Sequence, residues 1–193
     1  MSLHVLQPKS TFAPARSRSP ESLAFEAFWR DLPKDGLVPA RSAFHPRDAA
    51  QFLRDLLLVE VPPPGARRIK IRLAGSGFEA QVRGSITGHD YLEFLPPPYH
   101  DAALQSARLI AGQPCGLWQM TNVHYRRGTS QMLEITAFPL GGGGGRAPLI
   151  VALSRGTASF QMAAQIPATV MMADTAQEYA FLDIGAGVPA WDA

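Results

Sequence analysis

The chain has 193 residues, of which 46% are hydrophobic and 18% charged, so its composition is that of a globular protein with room for about one domain. The net charge is +2, but Lys9, Arg16 and Arg18 are the charged residues of positions 1–18, which leaves −1 for the rest. Nucleic-acid binding requires a basic face, and the charge of this nearly neutral body gives no reason to expect one. Residues 1–18 are predicted to form a mobile basic tail.

The single cysteine, Cys115, excludes an intrachain disulfide, and a free thiol is typical of a reducing compartment. No segment approaches the ~20 consecutive apolar residues that a membrane-spanning helix requires. The N-terminal segment also lacks the apolar block of a secretory signal. We therefore expect a cytoplasmic protein without a membrane span.

Two helices are predicted near the start of the ordered chain. Ser19, Pro20 and Glu21 supply a cap, a first-position proline and a first-turn acid, which together favour a helix start. The apolar stripe of this helix consists of Leu23, Phe25, Phe28, Trp29 and Leu32. Pro33 ends it. A second helix is predicted over residues 46–55 from the spacing of its apolar residues.

Five strands and one longer helix are predicted after these. Apolar runs separated by Pro and Gly predict a hairpin over residues 56–61 and 68–74. Glycines divide residues 75–98 into two or three single-turn helices, and a longer helix follows over residues 99–111. The last three strands are predicted at residues 116–126, 130–140 and 148–157. Strands joined by short turns indicate an α+β fold with an antiparallel sheet.

A glycine-rich turn after the second strand offers an alternative function. Gly75, Gly77 and Ala80 occupy the small-residue positions of a dinucleotide-binding pattern, which predicts a small nucleotide-binding enzyme. That pattern also needs a long helix and a second parallel strand, whereas Gly84 ends the helix early and prolines follow. The simpler interpretation is a turn that lets the strand leave the sheet.

The sequence predicts no catalytic residue and no metal site. The five histidines form no pair at helical spacing, and a second cysteine is lacking. A Gly-x-Ser-x-Gly nucleophile motif is also lacking. We therefore predict that the chain is not an enzyme, and the sequence leaves any cofactor unknown.

A mixed polar and apolar face on two late strands suggests a small-ligand pocket. Trp118 and Met120 share one face of their strand, as do Glu134, Thr136 and Phe138 on the next. If this face looks toward the aromatic residues of the short helices, the two line a cavity. The candidate ligand-binding residues are Phe78, Tyr91, Phe94, Trp118, Met120 and Phe138. The alternative is plain core packing.

Several segments resemble the PAS-domain superfamily. They include RLAGSGF at 72–78, RGSITG at 83–88 and YLEFLP at 91–96. The whole chain is similar to the stand-alone PAS-like proteins of alphaproteobacteria, through FWR at 28–30, PARSAFHP at 39–46 and LDIGAGVP at 182–189. The resemblance covers about residues 20–190, and most members of that family have no established function.

The resemblance implies a five-stranded antiparallel sheet with short flanking helices and an N-terminal helical extension. The domain would span residues 19–158, and residues 159–193 would form a partly docked extension. Flavin photosensors of the superfamily carry a reactive cysteine in an Asn-Cys-Arg motif. This chain has Gly-Phe-Glu-Ala there, so light sensing by that chemistry is disfavoured.

As a function, the resemblance implies a sensory or regulatory protein that holds a small ligand, or none, and signals through a protein partner. A homodimer is expected, with Phe25, Phe28 and Trp29 of the first helix as its interface. The alternative for these three residues is that they cover the sheet. A third alternative for the protein is a structural dimer without a ligand.

Overall fold

A computed structural model describes residues 17–82, 84–125, 130–157 and 170–190. Most of the predicted basic tail lies outside these residues. The helices are α1 (Pro20–Asp31), α2 (Ser76–Val82) and α3 (His100–Gly112). The strands are β1 (Leu56–Glu60), β2 (Ile71–Ala74), β3 (Cys115–Tyr125), β4 (Ser130–Leu140), β5 (Leu149–Gly156) and β6 (Val170–Asp183). Short 3₁₀ turns lie at Arg41–Ala43, Leu53–Asp55, Tyr91–Phe94 and Pro97–Tyr99.

The six strands form one sheet in the order β2-β1-β5-β4-β3-β6, and every neighbouring pair is antiparallel. The predicted α+β fold with an antiparallel sheet is therefore confirmed, as is the hairpin of β1 and β2. The prediction of five strands is wrong by one. The additional strand, β6, comes from the C-terminal extension and pairs with β3 at the edge of the sheet.

Helix α1 begins as the sequence predicts. The backbone N–H of Ser22 donates to the Ser19 hydroxyl at 3.1 Å, which satisfies one of the free amides of the first turn. Pro20 occupies the first helical position, where its missing N–H costs nothing. The helix ends at Asp31, just before Leu32 and Pro33.

The predicted second helix is wrong. Residues 46–55 form consecutive turns with hydrogen bonds that reach three residues back, as from the Phe52 N–H to the Ala49 carbonyl at 2.8 Å and from the Asp55 N–H to the Phe52 carbonyl at 2.9 Å. Ala49 and Phe52 are both buried. Apolar residues three positions apart lie on one side of successive tight turns, as they do in an α-helix, so their spacing does not distinguish the two structures.

Two apolar layers cover the two faces of the sheet. On the α1 face, Phe138 is fully buried and stacks on Trp29 with ring centroids 4.8 Å apart. On the opposite face, here called the α3 face, Ile110 of α3 packs with Ile71 and Cys115 in a second buried cluster. Burial of each large side chain contributes about 2–3 kcal/mol. The domain is therefore a three-layer structure of helix, sheet and helices.

The chain after β6 is held against α1. Both Gly185 and Gly187 donate their N–H groups to the carboxylate of Asp183, at 2.7 and 2.9 Å. The turn needs positive φ at both glycines, which glycine adopts without steric cost. Ile184 is buried in the α1-face cluster, and Arg30 of α1 donates to the Asp183 carbonyl at 3.2 Å. The extension thus contacts the N-terminal helix directly.

No helix within the four described ranges is long and apolar enough to cross a membrane.

Candidate functional site

The structure separates the predicted ligand-binding residues into two groups. Phe78, Tyr91 and Phe94 pack beside the apolar cluster of the α3 face. The other three, Trp118, Met120 and Phe138, lie on the α1 face.

The strand register decides this placement. Trp118 is paired with Thr136, whose hydroxyl lies 2.5 Å from the Ser22 hydroxyl of α1. Met120 is paired with Glu134, two residues away on the same face, and Phe138 stacks on Trp29. The expectation that all six residues line one cavity is wrong, because side chains two residues apart on a strand share a face and these face α1.

The α3 face carries small side chains opposite the aromatic residues. Ala74, Ala137 and Ala152 lie in one row across the sheet, together with Leu57 and Leu117. The next row runs over four strands and is half-buried. It consists of Ser154, Ile135, Gln119 and Tyr179. The alanines of the first row belong to the same apolar cluster as Phe78, Tyr91 and Phe94, so small side chains and aromatic rings meet on this face.

The aromatic residues on this face come from three elements. Phe78 lies on α2, while Tyr91 and Phe94 lie in the 3₁₀ turn that follows. The rings of Tyr179 and Phe181 on β6 meet edge to face, with centroids 5.9 Å apart. Burial raises the pKa of both Tyr91 and Tyr179, so both phenols stay protonated at neutral pH. The arrangement offers flat apolar contacts and uncharged hydrogen-bonding groups.

A buried polar cluster joins the α1 face to α1. The carboxylate Oε1 of Glu134 accepts hydrogen bonds from the Trp118 indole at 2.6 Å and from the Ser19 backbone N–H at 3.0 Å. Glu134 is 9% exposed, and Thr136 beside it is 1% exposed. A carboxylate at this place also opposes the positive end of the α1 dipole. The sequence showed polar residues on this face but not that Glu134 contacts the helix start.

The glycine turn at the end of β2 is filled by the protein itself. A Cβ atom on Gly75 would lie 2.1 Å from the Leu53 carbonyl oxygen, and one on Gly77 would lie 2.7 Å from the Asp55 carboxylate. These glycines therefore allow close packing against the preceding turn, with no open cradle for a phosphate. The dinucleotide fold is also wrong because its strands must be parallel, and those of this sheet are antiparallel.

Comparison with protein families gives a match to the PAS domain over residues 17–153, well over half of the chain. The chain belongs to the PAS domain family. Proteins of this family are generally sensory rather than enzymatic. A comparison with curated proteins gives no match.

Solved structures of PAS and light-oxygen-voltage domains are similar at low identity. A light-oxygen-voltage domain studied with a flavin analogue is 11% identical, with a TM-score of 0.43 over 62% of this chain and 89% of that one. The light-oxygen-voltage protein of Rhodobacter sphaeroides is 16% identical, with a TM-score of 0.42 over 60% and 69%. The PAS domain of an HTR-like protein from Haloarcula marismortui is 15% identical, with a TM-score of 0.41 over 57% and 89%.

The residues predicted for a PAS dimer interface are covered by their own chain. Phe25 and Trp29 are 0% and 1% exposed against the sheet. Phe28 is half-buried between Phe44 and Phe52, with ring centroids at 6.2 and 5.7 Å. The apolar stripe of α1 therefore holds the helix on the PAS sheet, which was the alternative interpretation of these three residues.

The surroundings of Cys115 make its thiol unreactive. Cys115 is fully buried at the start of β3, and burial together with the nearby Asp183 charge raises the pKa of its thiol to about 12. A thiol in this state supplies no nucleophile at neutral pH. Within the described ranges, no group of three or more His, Cys, Asp and Glu residues is placed to hold a metal ion.

Proposed function

We propose that this PAS domain is a cytoplasmic sensor that binds a small molecule on its α3 face and signals through α1 to a protein partner. The observation that carries the proposal is the alternation of β3 and β4 between the two faces. Gln119 and Ile135 belong to the α3 face, while their neighbours Trp118 and Glu134 belong to the α1 face. One pair of strands is therefore shared by the candidate ligand site and the helix contact.

The hydrogen bonds of Glu134 provide the means of transmission. We expect a ligand against Gln119 or Ile135 to shift β3 or β4 slightly, since small displacements of packed elements are a common way for a binding event to switch a fold. Such a displacement changes the 2.6 Å and 3.0 Å contacts that Glu134 makes, and hydrogen bonds weaken steeply with distance and angle. The stability of the first turn of α1 then differs between the ligand-bound and ligand-free states, and a partner that binds α1 can distinguish the two states.

We also propose that the protein is a homodimer. Since Phe25 and Trp29 are buried, a dimer formed through α1 has to use the outer side of that helix. Leu23 lies there and is 53% exposed, next to the small side chains of Ala24 and Ala27. An outer surface with few large groups allows two helices to approach closely.

Native mass spectrometry of the freshly purified chain tests the ligand. We expect added mass that disappears when the protein is denatured, and solvent extraction then yields the molecule for identification. Light scattering on the same sample measures the oligomeric state, with Leu23→Glu as the variant and Leu37→Glu, at a second exposed leucine, as its matched control. A dimer without added mass would favour a structural role over a sensory one.

A further inference from the structure

Strand β6 extends the candidate ligand site beyond the residues that the PAS family matches. Tyr179 lies directly across from Gln119, and Phe181 lies across from Leu117. Phe181 packs against the same apolar cluster as Tyr91 and Phe94, so both aromatic residues of β6 are on the α3 face. The family match ends at residue 153, before β6 begins. The face is therefore completed by a strand that the family match does not include.

The hydroxyl group of Tyr179 is buried and has no hydrogen-bond partner among the residues that the structure describes. A buried phenol normally finds a partner, since leaving a polar group unpaired in an apolar setting costs free energy. This hydroxyl lies on the half-buried row that also contains Gln119, Ile135 and Ser154. An unpaired group at such a place is suited to a bound molecule.

The side chains of this row define the chemistry of that molecule. Ser154, Ile135, Gln119 and Tyr179 are uncharged, and a charged ligand buried among them would lack a counter-ion. The neighbouring rings of Phe181, Tyr91 and Phe94 favour stacked or edge-to-face contacts with another ring. A hydroxyl both donates and accepts, so it pairs with a carbonyl or with another hydroxyl.

We propose that Tyr179 hydrogen-bonds to a carbonyl or hydroxyl group of a neutral aromatic molecule on the α3 face, which makes β6 part of the ligand site. This rests on the proposed ligand-binding function. Tyr179 acts here as a specificity-determining residue, because the apolar contacts would hold the same ring system without its polar group.

Calorimetric titration of the full chain with 2-naphthol and with 2-methylnaphthalene tests the proposal, since the two probes differ in the hydroxyl group. The variant is Tyr179→Phe, which removes the protein hydroxyl and keeps the ring. Tyr99→Phe, in the Pro97–Tyr99 turn, is the matched control. We expect the preference of the wild type for 2-naphthol over 2-methylnaphthalene to fall about tenfold in Tyr179→Phe and to be unchanged in Tyr99→Phe.

The outcomes separate the two proposals. If both probes bind and the preference survives in Tyr179→Phe, the role of Tyr179 is overturned and the ligand site stands. If neither probe binds the wild type, the ligand function is overturned together with this inference. Thermal unfolding of ligand-free Tyr179→Phe supplies a second reading: an unchanged or higher midpoint supports an unpaired hydroxyl, and a clearly lower one shows a partner within the protein.

Discussion

The Trp118 indole Nε1 donates to Oε1 of Glu134 at 2.6 Å, and the same oxygen accepts the backbone N–H of Ser19, the cap of α1, at 3.0 Å. One buried carboxylate oxygen thereby joins strands β3 and β4 to the residue that caps α1. Together with the Ser22–Thr136 hydroxyl contact, it forms a polar connection between the sheet and the start of α1.

Removal of the Glu134 carboxylate should destabilise the fold. Glu134→Leu leaves the buried Trp118 indole and the partly buried Ser19 N–H without their acceptor, so we expect a loss of about 2–4 kcal/mol in the free energy of unfolding. Glu134→Gln keeps one acceptor oxygen and should cost about 1 kcal/mol. Urea unfolding measures both. Glu93→Gln, at an exposed side chain, is the control and should stay within about 0.5 kcal/mol. A Glu134→Leu protein as stable as the wild type would contradict this account.

A methyl group at Gly75 should be poorly tolerated. Its Cβ would lie 2.1 Å from the backbone oxygen of Leu53, which cannot rotate away, so Gly75→Ala should lose about 3 kcal/mol. Gly84→Ala is the matched control, since a Cβ there meets nothing within 4 Å and φ is not positive. Thermal unfolding of the two variants is the measurement. Equal stability of the two variants would mean that a side chain fits at position 75, as it would in an open ligand-binding turn.

Stability should fall in acid partly because of Glu26. Burial tends to raise the pKa of this carboxyl group, but hydrogen bonds and charge from Arg18 and Arg30 outweigh it, and the pKa is lowered from its usual 4.5. Because the folded pKa is the lower one, this carboxylate stabilises the fold above about pH 4.5, and the contribution is lost as the pH falls through the lowered value.

Urea unfolding of wild type and Glu26→Gln over a range of pH checks this. The wild type should be the more stable protein at neutral pH, and the two stabilities should converge in acid. A difference that stays constant from neutral pH down to about pH 3 would show that the pKa of Glu26 does not shift on folding.

Cys115 should resist alkylation in the folded protein. With a pKa of about 12, roughly one thiol in ten thousand is ionised at about pH 8, and the side chain is fully buried. Iodoacetamide labelling followed by mass spectrometry should show modification only after unfolding in guanidinium chloride. Rapid labelling of the native chain would mean that the start of β3 opens to solvent.

The sequence predicted elements with strong local signals. The start of α1 depends on neighbouring residues, Ser19 and Pro20, and its predicted position is confirmed to the residue. Strand β4 was predicted with the bounds that it has, Ser130–Leu140, because a turn and a glycine run flank it. The turns at residues 46–55 were mistaken for a helix, since the spacing of Ala49 and Phe52 fits both structures.

Features that depend on distant contacts were missed. Strand β6 contains Ala, Glu and Asp residues, which are infrequent in strands, so its pairing with β3 decides its structure. The period-two pattern of β3 showed that Trp118 and Met120 share a face, but a strand does not encode which face meets α1. Which face meets α1 depends on how α1 and α3 pack on the sheet. For this reason Trp118, Met120 and Phe138 lie on the face opposite the candidate ligand site, and the sequence alone did not predict that.

Hydrogen–deuterium exchange of the full chain, with and without saturating 2-naphthol, tests transmission from the α3 face to α1 most directly. We predict that peptides covering the first turn of α1 change their exchange rate on binding, together with peptides of β3 and β4. Glu134→Gln should reduce the change in α1 and leave that in the strands. Full binding with an unaltered α1 in the wild type would contradict the account.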